Sequence, residues 1–201
     1  MIFLVLFFIE IAVGFQQVDI PDSSYLQHHG MFDLSWNHLS GSIPEELRDC
    51  IVIVDLLLNN NNLIGVVPKS LAHLTNLTTL DLSYNNVVSE IPREIATSKK
   101  LQGLALAYNK LNGTIPPELG DLSSLVKMNL TGNRLHGKIP DIIGKLNGLS
   151  HLDVIMSSHV NCVDLLQTWS TSLVCMYNKI GYLVALLACF QREQSGIKSR
   201  H

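Results

Sequence analysis

Leu101–Ser124 reads LQGLALAYNKLNGTIPPELGDLSS. Counted from Asn109, apolar residues stand five and three places before it (Leu104, Leu106) and two and six places after it (Leu111, Ile115). Pro116 follows, and Leu119, Leu122, Leu125 and Met128 then come at steps of three. The frame recurs on both sides with a period of 24 residues. Asparagine returns at Asn37, Asn61, Asn85, Asn109 and Asn133, and proline at Pro44, Pro68, Pro92, Pro116 and Pro140. Two residue types locked to one period mark an array of near-identical structural units.

Each part of the unit has a physical meaning. The alternation around L-x-L has the period of two expected of a short strand with one buried face. Steps of three after the proline suit a 3₁₀ or loose helical turn on the opposite side. Proline has no amide hydrogen for a ladder and suits the turn into that segment. The glycine four places after the asparagine (Gly41, Gly65, Gly113, Gly137) permits backbone angles that other residues resist. The asparagine is the one polar residue in an apolar frame, placed to bond the main chain of neighbouring turns. These features predict an α/β-type solenoid of five full 24-residue repeats. About five to six short parallel strands line the inside, and 3₁₀ or helical turns the outside. Each turn buries its leucines only against the next, so several repeats are needed for stability.

Two positions depart from the frame: Ser89 replaces the loop glycine and Ser98 a core leucine. A sixth unit begins at Leu149 with Leu152 and Val154. It then fails, because Ser157 stands where asparagine belongs and Asp164 where proline belongs. The predicted organisation is a candidate signal peptide at 1–14, an N-terminal flank at 15–30, the repeat domain at 31–156 and an extension at 157–201.

The form L-x-x-L-x-L-x-x-N-x-L-x-G-x-I-P-x-x-L-G-x-L resembles the plant-specific class of leucine-rich repeats, most closely in LSGSIPEEL, LNGTIPPELGDLSSL and LHGKIPDIIGKLNGL. That class builds the ectodomains of plant receptor kinases, receptor-like proteins and polygalacturonase inhibitors. Residues 31–155 more narrowly resemble part of the ectodomain of the Excess Microsporocytes type of receptor kinase, notably across SLAHLTNLTTLDLS, KKLQGLALAYNKLNG and SLVKMNLTGNRL. The resemblance implies a non-catalytic, ligand-recognising ectodomain fragment, with a secreted peptide or protein as ligand and a co-receptor as possible partner. Kinase activity does not carry over, because the chain has no G-x-G-x-x-G loop, no H-R-D and no D-F-G. Two other readings stay open: a secreted inhibitor like the polygalacturonase inhibitors, or an incomplete product without activity. The cysteine pair that caps such ectodomains is missing before residue 31, which weighs against the inhibitor.

A formal charge of −3 with scattered lysine and arginine argues against nucleic acid as a partner. MIFLVLFFIEIAVG (1–14) has an apolar run of signal-peptide length and small residues at cleavage spacing, but carries Glu10 and no basic start. LVCMYNKIGYLVALLACF (173–190) has the length and basic flank of a single-pass membrane helix. Asn178 and Lys179 oppose this, a mid-bilayer lysine costing roughly 2.5–3.5 kcal/mol. The expected location is the secretory pathway, at the plasma membrane or outside the cell. The sequons at Asn76, Asn112 and Asn129 are candidate glycosylation sites.

The candidate binding residues are those alternating with the core leucines. One column, four places before each asparagine, reads Asp33, Leu57, Asp81, Ala105, Asn129 and Asp153. Another, just before each asparagine, includes Trp36, Asn60, Tyr84 and Tyr108. Aromatics offer area plus a polar tip, and with carboxylates beside them they make a peptide-recognition strip. Against this, D-L-S-x-N is also a common filler of this repeat class. Cys50 occupies a leucine position and reads as a buried thiol, while Cys162 and Cys175 could pair in an oxidising compartment. No catalytic triad, phosphate loop, metal-ligand spacing or cofactor motif is present.

Overall fold

The computed structural model describes residues 30–154, and within them each unit of the frame becomes one turn of a coil. Ten three-residue strands form among the described residues: β1 (Met31–Asp33), β2 (Ser40–Ser42), β3 (Asp55–Leu57), β4 (Asn62–Ile64), β5 (Thr79–Asp81), β6 (Val88–Glu90), β7 (Gly103–Ala105), β8 (Lys110–Asn112), β9 (Lys127–Asn129) and β10 (His151–Asp153). The inner sheet has the order β1-β3-β5-β7-β9-β10, and all its pairs are parallel. Its register repeats the sequence period, with Met31 opposite Asp55 and Thr79 opposite Gly103. Each inner strand buries its middle residue (Phe32, Leu56, Leu80, Leu104, Met128 and Leu152) and turns the two flanking ones away from the core. This is the period-two pattern of a sheet with one buried face.

The steps of three become 3₁₀ helices, at Glu45–Asp49, Lys69–His73, Arg93–Thr97, Pro117–Asp121 and Asp141–Lys145. Each follows a frame proline whose φ lies between −69° and −60°, the value its ring imposes. Each closes with an N–H reaching the carbonyl three residues back, as Leu74 does to Leu71. Leu71, Leu74, Leu77 and their equivalents then meet the strand leucines in one continuous core. Fully burying one such side chain stabilises by about 1.5–3 kcal/mol, so the leucine frame supplies the main driving force.

The frame asparagines fasten turn to turn, and they do so in one direction. Asn85 Nδ2 donates to the carbonyls of Leu82 and Ser83 in its own turn and of Leu58 in the turn before. Its Oδ1 accepts the N–H of Leu63, also in the turn before. Asn61, Asn109 and Asn133 likewise serve the preceding turn. Among the described residues, Asn37 bonds only Leu34 and Ser35 of its own turn.

A second layer of pairing was not visible in the sequence. β2 pairs with β4 and β6 with β8, both parallel, and Val66 bridges to Val88. The step here is 22 residues, with Ser40 opposite Asn62 and Val88 opposite Lys110. The frame glycine is thus the middle of a short strand in β2, with φ of 90°. Ser89 keeps the left-handed angle at φ 77° despite its side chain. Ser98 is buried, and its hydroxyl finds no partner among the described residues. Cys50 is a buried free thiol, its pKa raised by burial and by the neighbouring Asp49.

The candidate signal peptide, residues 15–29 of the flank, the extension at 157–201 with its 173–190 segment, and Cys162, Cys175 and Cys189 lie outside the described residues. Among the described residues no helix is long and apolar enough to cross a membrane.

Candidate recognition surface

The face opposite the core belongs to the residues flanking each buried strand centre and to those that follow the strand. The polar column at the strand ends is held by local bonds. Asp33 Oδ1 accepts the N–H of Ser35 at 2.9 Å and its hydroxyl at 2.6 Å. Asp81 Oδ1 accepts the Ser83 N–H at 2.9 Å, and Asn129 Oδ1 the Thr131 N–H at 3.1 Å. These are Asx turns, in which a side chain replaces the carbonyl of a backbone turn. They give the D-L-S string a structural purpose and fix each side chain's direction. The second oxygen of Asp33 and of Asp81 takes no hydrogen bond from the described residues. Asp153 lies opposite Asn129 at the last described strand pair.

The column before each asparagine lies beyond the strand proper, in left-handed backbone. φ is 57° at Trp36, 57° at Asn60, 56° at Tyr84, 52° at Tyr108 and 72° at Gly132. A continued ladder holds it: Trp36 N–H bonds Asn59 O, Asn60 N–H Ser83 O, Tyr84 N–H Ala107 O and Tyr108 N–H Thr131 O. The frame imposes this angle at all five positions, and glycine or asparagine adopts it at least cost. Three of the five nonetheless carry large aromatic rings. Trp36 is 78% exposed, Tyr84 52% and Tyr108 48%. The Tyr84 and Tyr108 rings stack with centroids 4.5 Å apart and planes 18° from parallel. The Tyr108 ring in turn covers Gly132, where an added Cβ would come within 2.6 Å of it. The structure therefore brings the two tyrosines together, while Asn60 separates Trp36 from them.

One contributor to this face escaped the sequence reading. Asp55 stands at the start of β3, where its Oδ1 accepts the Thr78 hydroxyl at 2.8 Å. Leu57, half-buried at the end of β3, lies between Asp33 and Asp81 in the strand register. The same alternation turns Asp55 outward; the column counted back from the asparagine holds Leu57 and passes over the residue on the other side of the buried leucine. The charges divide along the face. The strands of the first three turns carry Asp33, Asp55 and Asp81 and no cation, β7 carries no charge, and β9 and β10 carry Lys127, His151 and Asp153. Among the described residues no three of His, Cys, Asp and Glu gather closely enough to hold a metal ion.

A leucine-rich repeat family model matches residues 51–111 and 76–135, and a second leucine-rich repeat model matches 31–50. Together they run unbroken from 31 to 135. The leucine-rich repeat receptor protein kinase MSP1 of Oryza sativa subsp. japonica is 48% identical over 52 residues, 26% of this chain. The leucine-rich repeat receptor protein kinase EMS1 of Arabidopsis thaliana is 56% identical over 47 residues, 23% of this chain. The chain spans only 4% of the length of either. Among solved structures, the Arabidopsis receptor kinase HAESA, in complex with the peptide hormone IDA and the co-receptor SERK1, matches with a TM-score of 0.61 and 37% identity. That match covers 62% of this chain and 21% of HAESA. Period, fold and relatives agree: the chain belongs to the leucine-rich repeat family, and its turns are similar to those of plant receptor kinases.

Proposed function

We propose that these turns form a non-catalytic recognition module of a plant cell-surface receptor, binding an extended peptide or a protein segment across the inner sheet by equilibrium docking. The single observation that carries this is the exposed aromatic column. Trp36, Tyr84 and Tyr108 occupy left-handed positions where smaller residues cost less, and their rings face away from the core. Buried aromatic anchors dominate the energy of interfaces, because they cover large area at little loss of side-chain freedom. HAESA, whose fold this chain shares over its described turns, is seen with a peptide hormone and a co-receptor. A peptide ligand on the strand face and a second chain on a neighbouring surface are the partners this reading expects.

Glycosylation belongs to the same reading. Asn112 ends β8, is exposed, and its side chain makes no hydrogen bond with the described residues. Asn76 is tied to the Ile51 carbonyl and to Lys100, and Asn129 to its own turn on the strand face. A glycan on Asn112 would leave the aromatic column open.

The test is selection of random twelve-residue peptides displayed on phage against the full chain. Specific enrichment is expected, and it should vanish on a chain carrying Trp36→Ala, Tyr84→Ala and Tyr108→Ala that still melts cooperatively. Enrichment that survives these changes would place recognition elsewhere on the molecule.

A further inference from the structure

We infer that the notch at Asn60, between Trp36 and Tyr84, is a subsite for one aromatic side chain of the bound peptide; this rests on the recognition reading above and names the chemistry it selects. The Tyr84 and Tyr108 ring centroids are 4.5 Å apart, close to the strand spacing of about 4.7–4.9 Å. Rings stacked at that step stand upright on the face, one layer to a turn. One face of Tyr84 is taken by Tyr108, and the Tyr108 ring covers Gly132 on the far side. The other face of Tyr84 looks along the column toward Asn60, whose short side chain leaves the layer of its turn unfilled. Trp36, at the same left-handed angle as Asn60 and Tyr84, begins the layer beyond.

The backbone ladder sets the width of the notch. The bonds from Trp36 N–H to Asn59 O and from Asn60 N–H to Ser83 O hold the three positions one strand apart each. Trp36 and Tyr84 therefore leave the backbone two strand spacings apart, about 9–10 Å. A flat group between them lies about 4.7–4.9 Å from either side, within the roughly 4.5–7 Å range of stacked aromatic pairs. One ring fits, completing the column at the step that Tyr84 and Tyr108 already keep. The floor of this turn is neutral. Leu57 is half-buried, and the Asn60 amide makes no hydrogen bond with the described residues. The carboxylate of the turn, Asp55, stands at the opposite end of β3 and accepts the Thr78 hydroxyl. An aromatic side chain suits these surroundings: its faces meet rings, and a polar tip meets the amide of Asn60.

The experiment compares peptides selected from the same random phage library by the full chain and by chains carrying Asn60→Tyr or Asn60→Gly. This column already holds tyrosine and glycine at the left-handed angle, so each variant should melt as the parent does. Phenylalanine, tyrosine and tryptophan together should be enriched roughly five-fold over the input pool on the parent. The excess should persist on Asn60→Gly, which keeps the notch, and fall to the input level on Asn60→Tyr, which fills it. Enrichment that depends on Trp36 and Tyr84 but shows no aromatic excess, or an excess of arginine instead, would overturn the subsite and leave the recognition reading standing. An aromatic excess that survives Asn60→Tyr, or is lost on Asn60→Gly, would also overturn the subsite. Dimerisation of the parent in sedimentation, abolished by Asn60→Tyr, would give the notch to a second copy and overturn it as well. A library yielding no specific peptide at all would overturn both.

Discussion

At residue 98 a buried hydroxyl stands where Leu74, Leu122 and Leu146 close the other outer turns. The Ser98 Oγ has no partner among the described residues. A buried polar group left unpaired costs about 1–3 kcal/mol. Cys50 fills the same frame position as a small apolar group without that penalty. Ser98→Leu is therefore expected to stabilise the chain by about 2 kcal/mol, read as a higher urea midpoint with unchanged slope. A lower midpoint would show that the neighbours have closed over the space and the site is overpacked. At Ser89 the fault is in the backbone. Its φ of 77° is left-handed, and an L side chain there costs about 1–2 kcal/mol, part of which glycine returns through its looser unfolded chain. Ser89→Gly should raise stability by about 0.5–1 kcal/mol in the same measurement. The reverse change at Gly113, where a Cβ would meet Glu90 Cγ at 2.7 Å, should cost more than that.

At the scale of the element, the asparagines of the middle turns, Asn61, Asn85 and Asn109, are each a clasp for four backbone groups. Asn85→Ala would strand the N–H of Leu63 and the carbonyls that Nδ2 serves, and is expected to cost about 3–4 kcal/mol. Asn37→Ala removes, among the described residues, only bonds within its own turn and should cost about 1 kcal/mol. Equal losses in denaturant titrations of the two would sink the directional account. The outer turns carry a weaker clasp: Lys69 Nζ lies 3.2 Å from Glu94 Oε1, one turn on. The Glu94 carboxyl is held below its ordinary value of 4.5, chiefly by the hydrogen bond to its own backbone. Burial opposes this, and Lys69 and then Arg93 add to it. A depressed folded pKa means stability that is present above 4.5 and lost as pH falls through the lower folded value. Glu94→Gln should flatten that acid limb in urea midpoints taken across it, and an unchanged limb would dismiss the clasp. The sequence disclosed the inner strands, the 3₁₀ turns and the asparagine clasp, because each is carried by a side-chain property repeated at a fixed step. The outer strand pairs and the left-handed column were hidden because backbone bonds to the next turn create them. The 22-residue step of those outer pairs leaves no mark on a 24-residue pattern. The tyrosine stack follows from that hidden geometry, whereas the D-L-S turns could have been recognised from aspartate two places before serine.

Across the described turns, stability is a sum over neighbours, each turn packing on the next. Amide exchange should accordingly be slowest at Leu58, Leu82 and Leu106, whose N–H groups bond the following turn in the middle of the sheet, and faster at Leu34 and at Leu130 near its two edges. Uniform protection along the sheet would mean that the turns open as one unit. The inner sheet is a one-sided platform. Its core side is sealed by leucine, and its outer side offers tyrosine, tryptophan and carboxylate for complementarity over a surface. The backward reach of Asn61, Asn85, Asn109 and Asn133 has a temporal meaning as well. A ribosome releases the amino end first, so every newly emerged coil carries the amide that locks the coil already outside the exit tunnel. Assembly during translation can then advance like a zip fastener, each closure complete before the succeeding segment is synthesised.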